Sequence, residues 1–182
     1  MSSPAMSTPV TSAEIECSIR NVPDFPKAGI QFKDITPVLA DARLFSGIID
    51  LLTEKFSPGQ IDSVVGIDAR GFIFAAAAAK KLNAGFVPVR KKGKLPFQTI
   101  EQDYALEYGS TTVAMHIDAL KPGARVLLVD DLLATGGTAA AAISLVKKLG
   151  GQILEVGFVI ELKFLNGRAK LKDVPVRSLV SY

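Results

Sequence analysis

The chain has 182 residues but only one cysteine, one histidine and no tryptophan. A single thiol, Cys17, cannot close an intramolecular disulfide, so a disulfide-framed secreted scaffold is excluded and a reducing cytoplasm is expected. His116 stands alone in an alternating stretch (TTVAMHI), which points to a structural histidine. No His, Cys and carboxylate cluster suggests a protein-bound metal. The longest apolar run, 71–79, is nine residues and stops at Lys80 and Lys81, whereas a membrane span needs about 20. The first thirteen residues have neither the basic start nor the apolar run of a signal peptide. Charge of one sign is also scarce, with 21 Lys and Arg against 18 Asp and Glu. A soluble protein that binds neither membrane nor nucleic acid is the expectation.

What is present suffices for one domain, because 48% of the residues are hydrophobic and folding at this length buries roughly 70% of the surface. We expect a disordered tail over 1–12 and a single domain over 13–182. Thr11 and Glu14 have capping-box spacing before a short helix. Residues 21–39 hold three prolines and a glycine, which predicts an extended, irregular segment. Leu44, Phe45, Ile48, Ile49 and Leu52 then recur at helical spacing up to a stop at Ser57, Pro58 and Gly59. Beyond it, strands at 61–67, 86–89, 126–130, 153–160 and 176–180 alternate with helices at 70–82 and 138–149. Such alternation implies an α/β fold, with a mainly parallel β-sheet flanked by helices. Gly109 and Ser110 fit a two-residue hairpin turn between strands at 104–108 and 111–117. Residues 95–103 lack either periodicity and read as a mobile lid.

The stretch VLLVDDLLATGGTAAAAISLVKKLG (126–150) carries the chemistry. A buried strand ends in two carboxylates, a loop with two glycines follows, and a helix starts at Thr138. Ligands of open α/β sheets bind at the carboxyl ends of strands. Gly136 and Gly137 let backbone N–H groups turn inward, and the helix N-terminus adds positive potential. Ala134, Thr135 and Thr138 complete a cradle for a phosphate monoester. Asp130 and Asp131 would repel that phosphate but suit the hydroxyls of a ribose. A solvated carboxylate pair before a flexible turn is the blander alternative, and the ordered strand, DD, TGGT and helix weigh against it. Other nucleotide motifs fail: there is no G-x-x-x-x-G-K-[ST] and no G-x-G-x-x-G. Six cations, Lys80, Lys81, Arg90, Lys91, Lys92 and Lys94, fall within 80–94 with no acid among them, leaving the remainder at −3. That concentration beside a phosphate cradle favours a small polyanion as substrate.

The segment VDDLLATGGT (129–138) resembles the 5-phosphoribosyl 1-pyrophosphate motif of type I phosphoribosyltransferases. PDFPKAGIQFKDITPVL (23–39), GIDARGFIF (66–74), VRKKGKLP (89–96) and LEYG (106–109) make the chain similar to the adenine phosphoribosyltransferase family from about residue 15 onward. The resemblance implies a type I phosphoribosyltransferase fold with a small N-terminal hood from 21–39. It implies a homodimer, and the conversion of adenine and 5-phosphoribosyl 1-pyrophosphate to AMP and pyrophosphate, with Mg2+ carried on the pyrophosphate rather than bound directly by protein. Residues 134–138 would hold the 5′-phosphate, and Asp130 and Asp131 the ribose. Asp68, Ala69 and Arg70, with Lys91 and Lys94, would hold the pyrophosphate, and relatives often have a cis peptide between the positions of Asp68 and Ala69. Glu107 would be the catalytic carboxylate managing the purine proton, assisted by Arg70, with Tyr108 helping to close the site. Phe32 would stack on adenine while Gln31 and Lys33 read its edge; position 33 is often Arg in relatives and position 31 often apolar. A transferase for hypoxanthine, guanine or xanthine, and a regulator that senses phosphoribosyl pyrophosphate, are the competing readings. The regulator would need a nucleic-acid reading module, and no helix-turn-helix pattern is present.

Overall fold

In the computed structural model, Thr11 and Glu14 close the first helix as their spacing requires. The Glu14 N–H donates to Thr11 Oγ1 at 3.3 Å and the Thr11 N–H to Glu14 Oε2 at 2.9 Å, capping α1 (Ser12–Ser18). The structure describes residues 8–105 and 110–182, which divide into two compact units with the boundary between Leu51 and Leu52. Of the expected tail, residues 1–7 lie outside the described residues. Val10 is buried, and a Cβ on Gly47 would sit 2.3 Å from its own Cβ, so residues 8–10 rest directly on the helix that carries Gly47.

In the first unit the proline-rich segment pairs with itself. Strands β1 (Arg20–Pro23) and β2 (Gln31–Asp34) run antiparallel with Val22 opposite Phe32. Between them lie a cis Phe25–Pro26 bond and Gly29 at φ +84°. The expectation that 21–39 avoids helix is corrected at its end, where α2 (Thr36–Ala40) forms with Pro37 in its first turn. There the missing proline N–H has no intrahelical partner to lose. Helix α3 (Ala42–Thr53) follows. The Asp41 carboxylate accepts the N–H groups of Arg43 and Leu44, both at 2.9 Å, and so starts it.

The second unit is built on seven strands in the order β5-β6-β4-β3-β7-β8-β9. They are β3 (Ser63–Ile67), β4 (Gly85–Lys91), β5 (Thr99–Ala105), β6 (Ser110–His116), β7 (Arg125–Leu133), β8 (Gln152–Glu161) and β9 (Val176–Ser181). Neighbours from β4 through β9 pair in parallel, while β6 runs antiparallel to both β4 and β5. Helices α4 (Gly71–Leu82) and α5 (Gly137–Lys148) join these strands. On one side of the sheet, Val65, Val87, Val126, Leu128 and Phe158 form a buried cluster with Ala142, Leu145 and Val146 of α5. Phe74, Ala75, Ala78 and Leu82 of α4 are fully or almost fully buried, and a Cβ on Gly66 of β3 would come within 2.7 Å of Ala75.

Two sequence expectations change here. Residues 99–103, read as part of a lid, belong to edge strand β5, paired with β6 from Thr99 opposite His116 to Ala105 opposite Ser110. Ile100 and Tyr104 pack on the core while Glu101 and Asp103 are exposed; the polar Gln102 on the inner side had hidden the alternation. Ser110 is consequently the first residue of β6 rather than a turn residue, and Gly109 lies outside the described residues. Strand β7 also runs three residues beyond Asp130. It pairs with β3 only as far as Val129 but with β8 through Leu133, so the two carboxylates leave the sheet on one side only.

Candidate active site

The glycine-rich loop after β7 is shaped by backbone contacts. Gly136 takes φ +77° as the residue before α5, a conformation that disfavours any side chain. A Cβ there would lie 2.3 Å from the carbonyl oxygen of Gly167, and a Cβ on Gly167 would lie 2.1 Å from that of Ala134. The two backbones therefore interlock without room for a methyl group. The side chain of Arg168 donates to both Glu161 oxygens and to the Val176 carbonyl, fixing the 3-10 turn Gly167–Lys170 that contributes Gly167. Glu161 is held below the usual carboxylate range chiefly by the Arg168 hydrogen bonds. What remains is a concavity of about 70 Å³ lined by Asp130 and residues 132–139. The first N–H groups of α5 have no intrahelical acceptor, and this is an arrangement that receives an anion.

The segment after β3 meets it from the side. A cis peptide joins Asp68 to Ala69, Arg70 precedes α4, and Gly71 begins it. Arg70 Nε lies 2.7 Å from Asp131 Oδ2. Gly71 has no space for a side chain, because a Cβ would come 2.6 Å from Asp130 Oδ1. Burial, then the neighbouring Asp131 charge, pushes the Asp130 carboxyl well above its ordinary pKa. Burial also raises Asp131, with the Arg70 charge pulling the other way. Carboxyl oxygens accept hydrogen bonds from neutral hydroxyls, which suits a vicinal diol.

The basic run after β4 separates into two roles. Arg90 is turned inward, with Nε 3.1 Å from Asp68 Oδ2 and NH1 3.0 Å from the Lys94 carbonyl oxygen. Lys92 pairs with Glu101 at 2.7 Å. Lys91 and Lys94 are exposed and form no ion pair among the described residues. The turn closes through Gly93 at φ +79°.

The structure thus brings Arg70, Gly71, Asp130 and Asp131 together beside the loop 134–138. Glu107 and Tyr108 lie outside the described residues. Gln31, Phe32 and Lys33 form most of β2 in the first unit, where Phe25 meets the Phe32 ring edge-on at 5.1 Å and Lys33 Nζ donates to Asn21 Oδ1 at 2.6 Å. Sequence reasoning missed Gly167, the Arg90–Asp68 pair, and Tyr104, whose hydroxyl accepts from Thr138 Oγ1 at 2.9 Å. The Asn166–Gly167 dipeptide carries a turn signal, but nothing local ties it to a loop some thirty residues earlier.

A family model described as "Phosphoribosyl transferase domain" matches residues 34–179. A protein of Chloroflexus aurantiacus named adenine phosphoribosyltransferase is 54% identical over 173 residues, covering 95% of this chain and all of that protein. The crystal structure of adenine phosphoribosyltransferase from Rhodothermus marinus superposes with a TM-score of 0.89 at 52% identity, covering 94% of this chain and 98% of the other. The Saccharomyces cerevisiae enzyme, crystallised with an imino-altritol bisphosphate and adenine, gives a TM-score of 0.87 at 43% identity, covering 92% and 97%.

Proposed function

The chain belongs to the adenine phosphoribosyltransferases of the phosphoribosyl transferase family, and from that premise we propose how its own residues perform the reaction. It converts adenine and 5-phosphoribosyl 1-pyrophosphate to AMP and pyrophosphate in purine salvage. The 5′-phosphate is assigned to residues 134–138, which line the concavity at the start of α5, where the first N–H groups of the helix have no intrahelical acceptor. Asp130 and Asp131 take the ribose hydroxyls. Arg70 takes the pyrophosphate with the backbone of Asp68 and Ala69, because a guanidinium can grip phosphate oxygens with two parallel hydrogen bonds. Lys91 and Lys94 add exposed positive charge, and Arg90 braces their turn against Asp68. The meeting of Arg70 and Gly71 with Asp131 and Asp130 carries this reading, since a guanidinium suited to pyrophosphate lies next to two carboxyls suited to ribose hydroxyls.

As pyrophosphate leaves C1′, positive character develops on the ribose, and adenine N9 must be close and aligned to form the new bond. Glu107 is assigned the proton at purine N7, Tyr108 the closing of the site, and Phe32 the stacking on adenine, with Gln31 and Lys33 at its edge. The Lys33 ammonium is engaged by Asn21, which favours edge recognition by the main chain at this position. Mg2+ would be carried on the pyrophosphate and would neutralise part of its charge. Asp130 and Asp131 supply hard oxygen donors that suit that ion through water. Ile73 of α4 and Phe86 of β4 are large and exposed, and these apolar side chains support a homodimer, which sedimentation tests. A cytoplasmic location is supported by the free thiol of Cys17, and no helix among the described residues is long and apolar enough to cross a membrane.

The direct test supplies purified protein with adenine, phosphoribosyl pyrophosphate and Mg2+. AMP must form, and excess hypoxanthine, guanine or xanthine must leave its rate nearly unchanged. A folded sample that makes no AMP would sink the assignment.

A further inference from the structure

The hydrogen bond between Thr138 and Tyr104 joins two parts of the molecule that the sequence motifs do not connect. Thr138 stands in the first turn of α5, within the loop assigned to the 5′-phosphate. Tyr104 lies on edge strand β5, which no motif includes. Thr138 Oγ1 donates to the Tyr104 hydroxyl at 2.9 Å.

That phenol is held in place along the whole helix. Ser144 Oγ donates to Gln102 Oε1 at 3.0 Å, and Lys148 Nζ donates to the same oxygen at 2.9 Å. Ile100 and the Tyr104 ring pack against the buried cluster beneath α5. Thr138, Ser144 and Lys148 span α5 from its first turn to its last residue, so β5 is fastened to this helix at three levels. The Tyr104 oxygen has little freedom of its own.

The Thr138 hydroxyl has one proton to give and lone pairs with which to accept, and it lies within hydrogen-bond distance of the Tyr104 phenol. Bound phosphate oxygens are strong acceptors, so the Thr138 proton turns toward them when the cradle fills. Thr138 Oγ1 then presents its lone pairs to Tyr104, whose phenol is the more acidic of the two hydroxyls and the better donor. The result is a chain from Tyr104 to Thr138 to phosphate in which each bond polarises the next.

We propose that Tyr104 is a positioning residue for the 5′-phosphate, acting through Thr138 by donating to its hydroxyl while that hydroxyl donates to the phosphate. The inference rests on the assignment of 134–138 to that phosphate. It also links strand β5 to occupancy of the cradle, since the strand's terminal hydroxyl is part of the hydrogen-bond chain.

The test is a cycle of Tyr104→Phe, Thr138→Ala and their combination, with Thr138→Ser as the conservative control. KM is measured separately for phosphoribosyl pyrophosphate and for adenine. Removing only the phenol oxygen should raise the phosphoribosyl pyrophosphate KM by about 2- to 10-fold, the range of one hydrogen bond, and leave the adenine KM within about twofold. Thr138→Ala should raise it by at least as much. Tyr104→Phe added to Thr138→Ala should have almost no further effect, and Thr138→Ser should stay near the parent. If Thr138→Ala leaves this KM unchanged, the phosphate assignment fails and the inference with it. If Thr138→Ala acts but Tyr104→Phe does not, or the two add fully, the role of Tyr104 alone is refuted. Equal rises in both KM values for Tyr104→Phe would also refute it, because general loosening of the strand does not discriminate between substrates. Thermal denaturation of each variant establishes that it is folded. If Tyr104→Phe does not fold, Tyr104→Leu takes its place in the cycle: a rise in the phosphoribosyl pyrophosphate KM that vanishes in the Thr138→Ala background supports the hydroxyl chain, and one that persists there overturns it.

Discussion

Replacing Gly167 by alanine should damage phosphate binding although Gly167 lies outside every recognised motif. Its φ is not in the left-handed region, so the added methyl group brings no backbone penalty and the whole effect is contact. The new Cβ would meet the Ala134 carbonyl oxygen at 2.1 Å, the Gly136 nitrogen at 2.9 Å and the Ala134 carbonyl carbon at 3.0 Å. All three are main-chain atoms, and ordinary contact begins at 3.4 Å. No flexible side chain can yield, so the loop and the 3-10 turn must move apart by about 1 Å, a displacement that can reduce rate by roughly 10²-fold when it misplaces a bound substrate. Overpacking of this kind costs about 1–3 kcal/mol, or a fall of about 2–12 °C in melting temperature at this chain length. Initial rates of AMP formation at saturating adenine and varied phosphoribosyl pyrophosphate give kcat/KM for that substrate. Gly85→Ala is the control, since its Cβ would meet nothing nearer than 3.6 Å. If Gly167→Ala keeps kcat/KM within twofold of the parent and melts at the same temperature, the interlock does not shape the cradle.

Asp130→Asn should melt above the parent at pH 7 by a few degrees, ~1 kcal/mol being about 2–4 °C at this size, while losing most activity. Burial raises the Asp130 pKa in the folded chain. From about pH 4 upward the folded state therefore holds the proton that the unfolded state has released, and stability falls as pH rises through that window. The difference between variant and parent should shrink as pH is lowered toward 4, and a pH-independent difference in a melting series would refute the cause. Chelation by EDTA should abolish turnover without moving the melting temperature, because no group of three metal-ligating side chains assembles among the described residues; a lower melting temperature would reveal a structural metal. Glu107→Gln should cut kcat by about 10²-fold or more with the KM for phosphoribosyl pyrophosphate nearly unchanged, and full turnover would remove Glu107 from the proton transfer.

The readable part of the site was local. In VDDLLATGGT the strand, the turn and the helix start are consecutive, so the hydrophobic pattern and two glycines suffice to outline the cradle. Gly167 was illegible because its partner is the backbone of residues 134–136, and a backbone contact leaves no complementary side-chain pattern. Tyr104 was hidden for a related reason. Strand β5 is an edge strand with Glu101 and Asp103 exposed and Gln102 bonded to α5, so polar residues fall on both of its faces and the period of two disappears. The role of the basic run was half legible. Composition identified the cations, but only the fold separates Arg90 and Lys92, which are internally paired, from the exposed Lys91 and Lys94.

The junction of β3 and β7 also bears on how the site comes into being as the chain folds. Strand β3 pairs with β4 from Ser63 opposite Gly85, and β7 with β8 from Arg125 opposite Gln152, so each parallel unit closes a short stretch of chain. Bringing β3 against β7 sets Ser63 opposite Val126, a far longer closure, and long-range pairing bears the larger entropic cost and forms slowly. Arg70 lies within the first of these units, just after β3, and Asp131 belongs to the second. A chain in which both units have formed separately already contains each ligand-binding segment, yet the pair of Arg70 and Asp131 is absent until the units dock. Recovery of activity on refolding should therefore report the docking of the two halves of the sheet, and it should lag behind the recovery of helix and strand content.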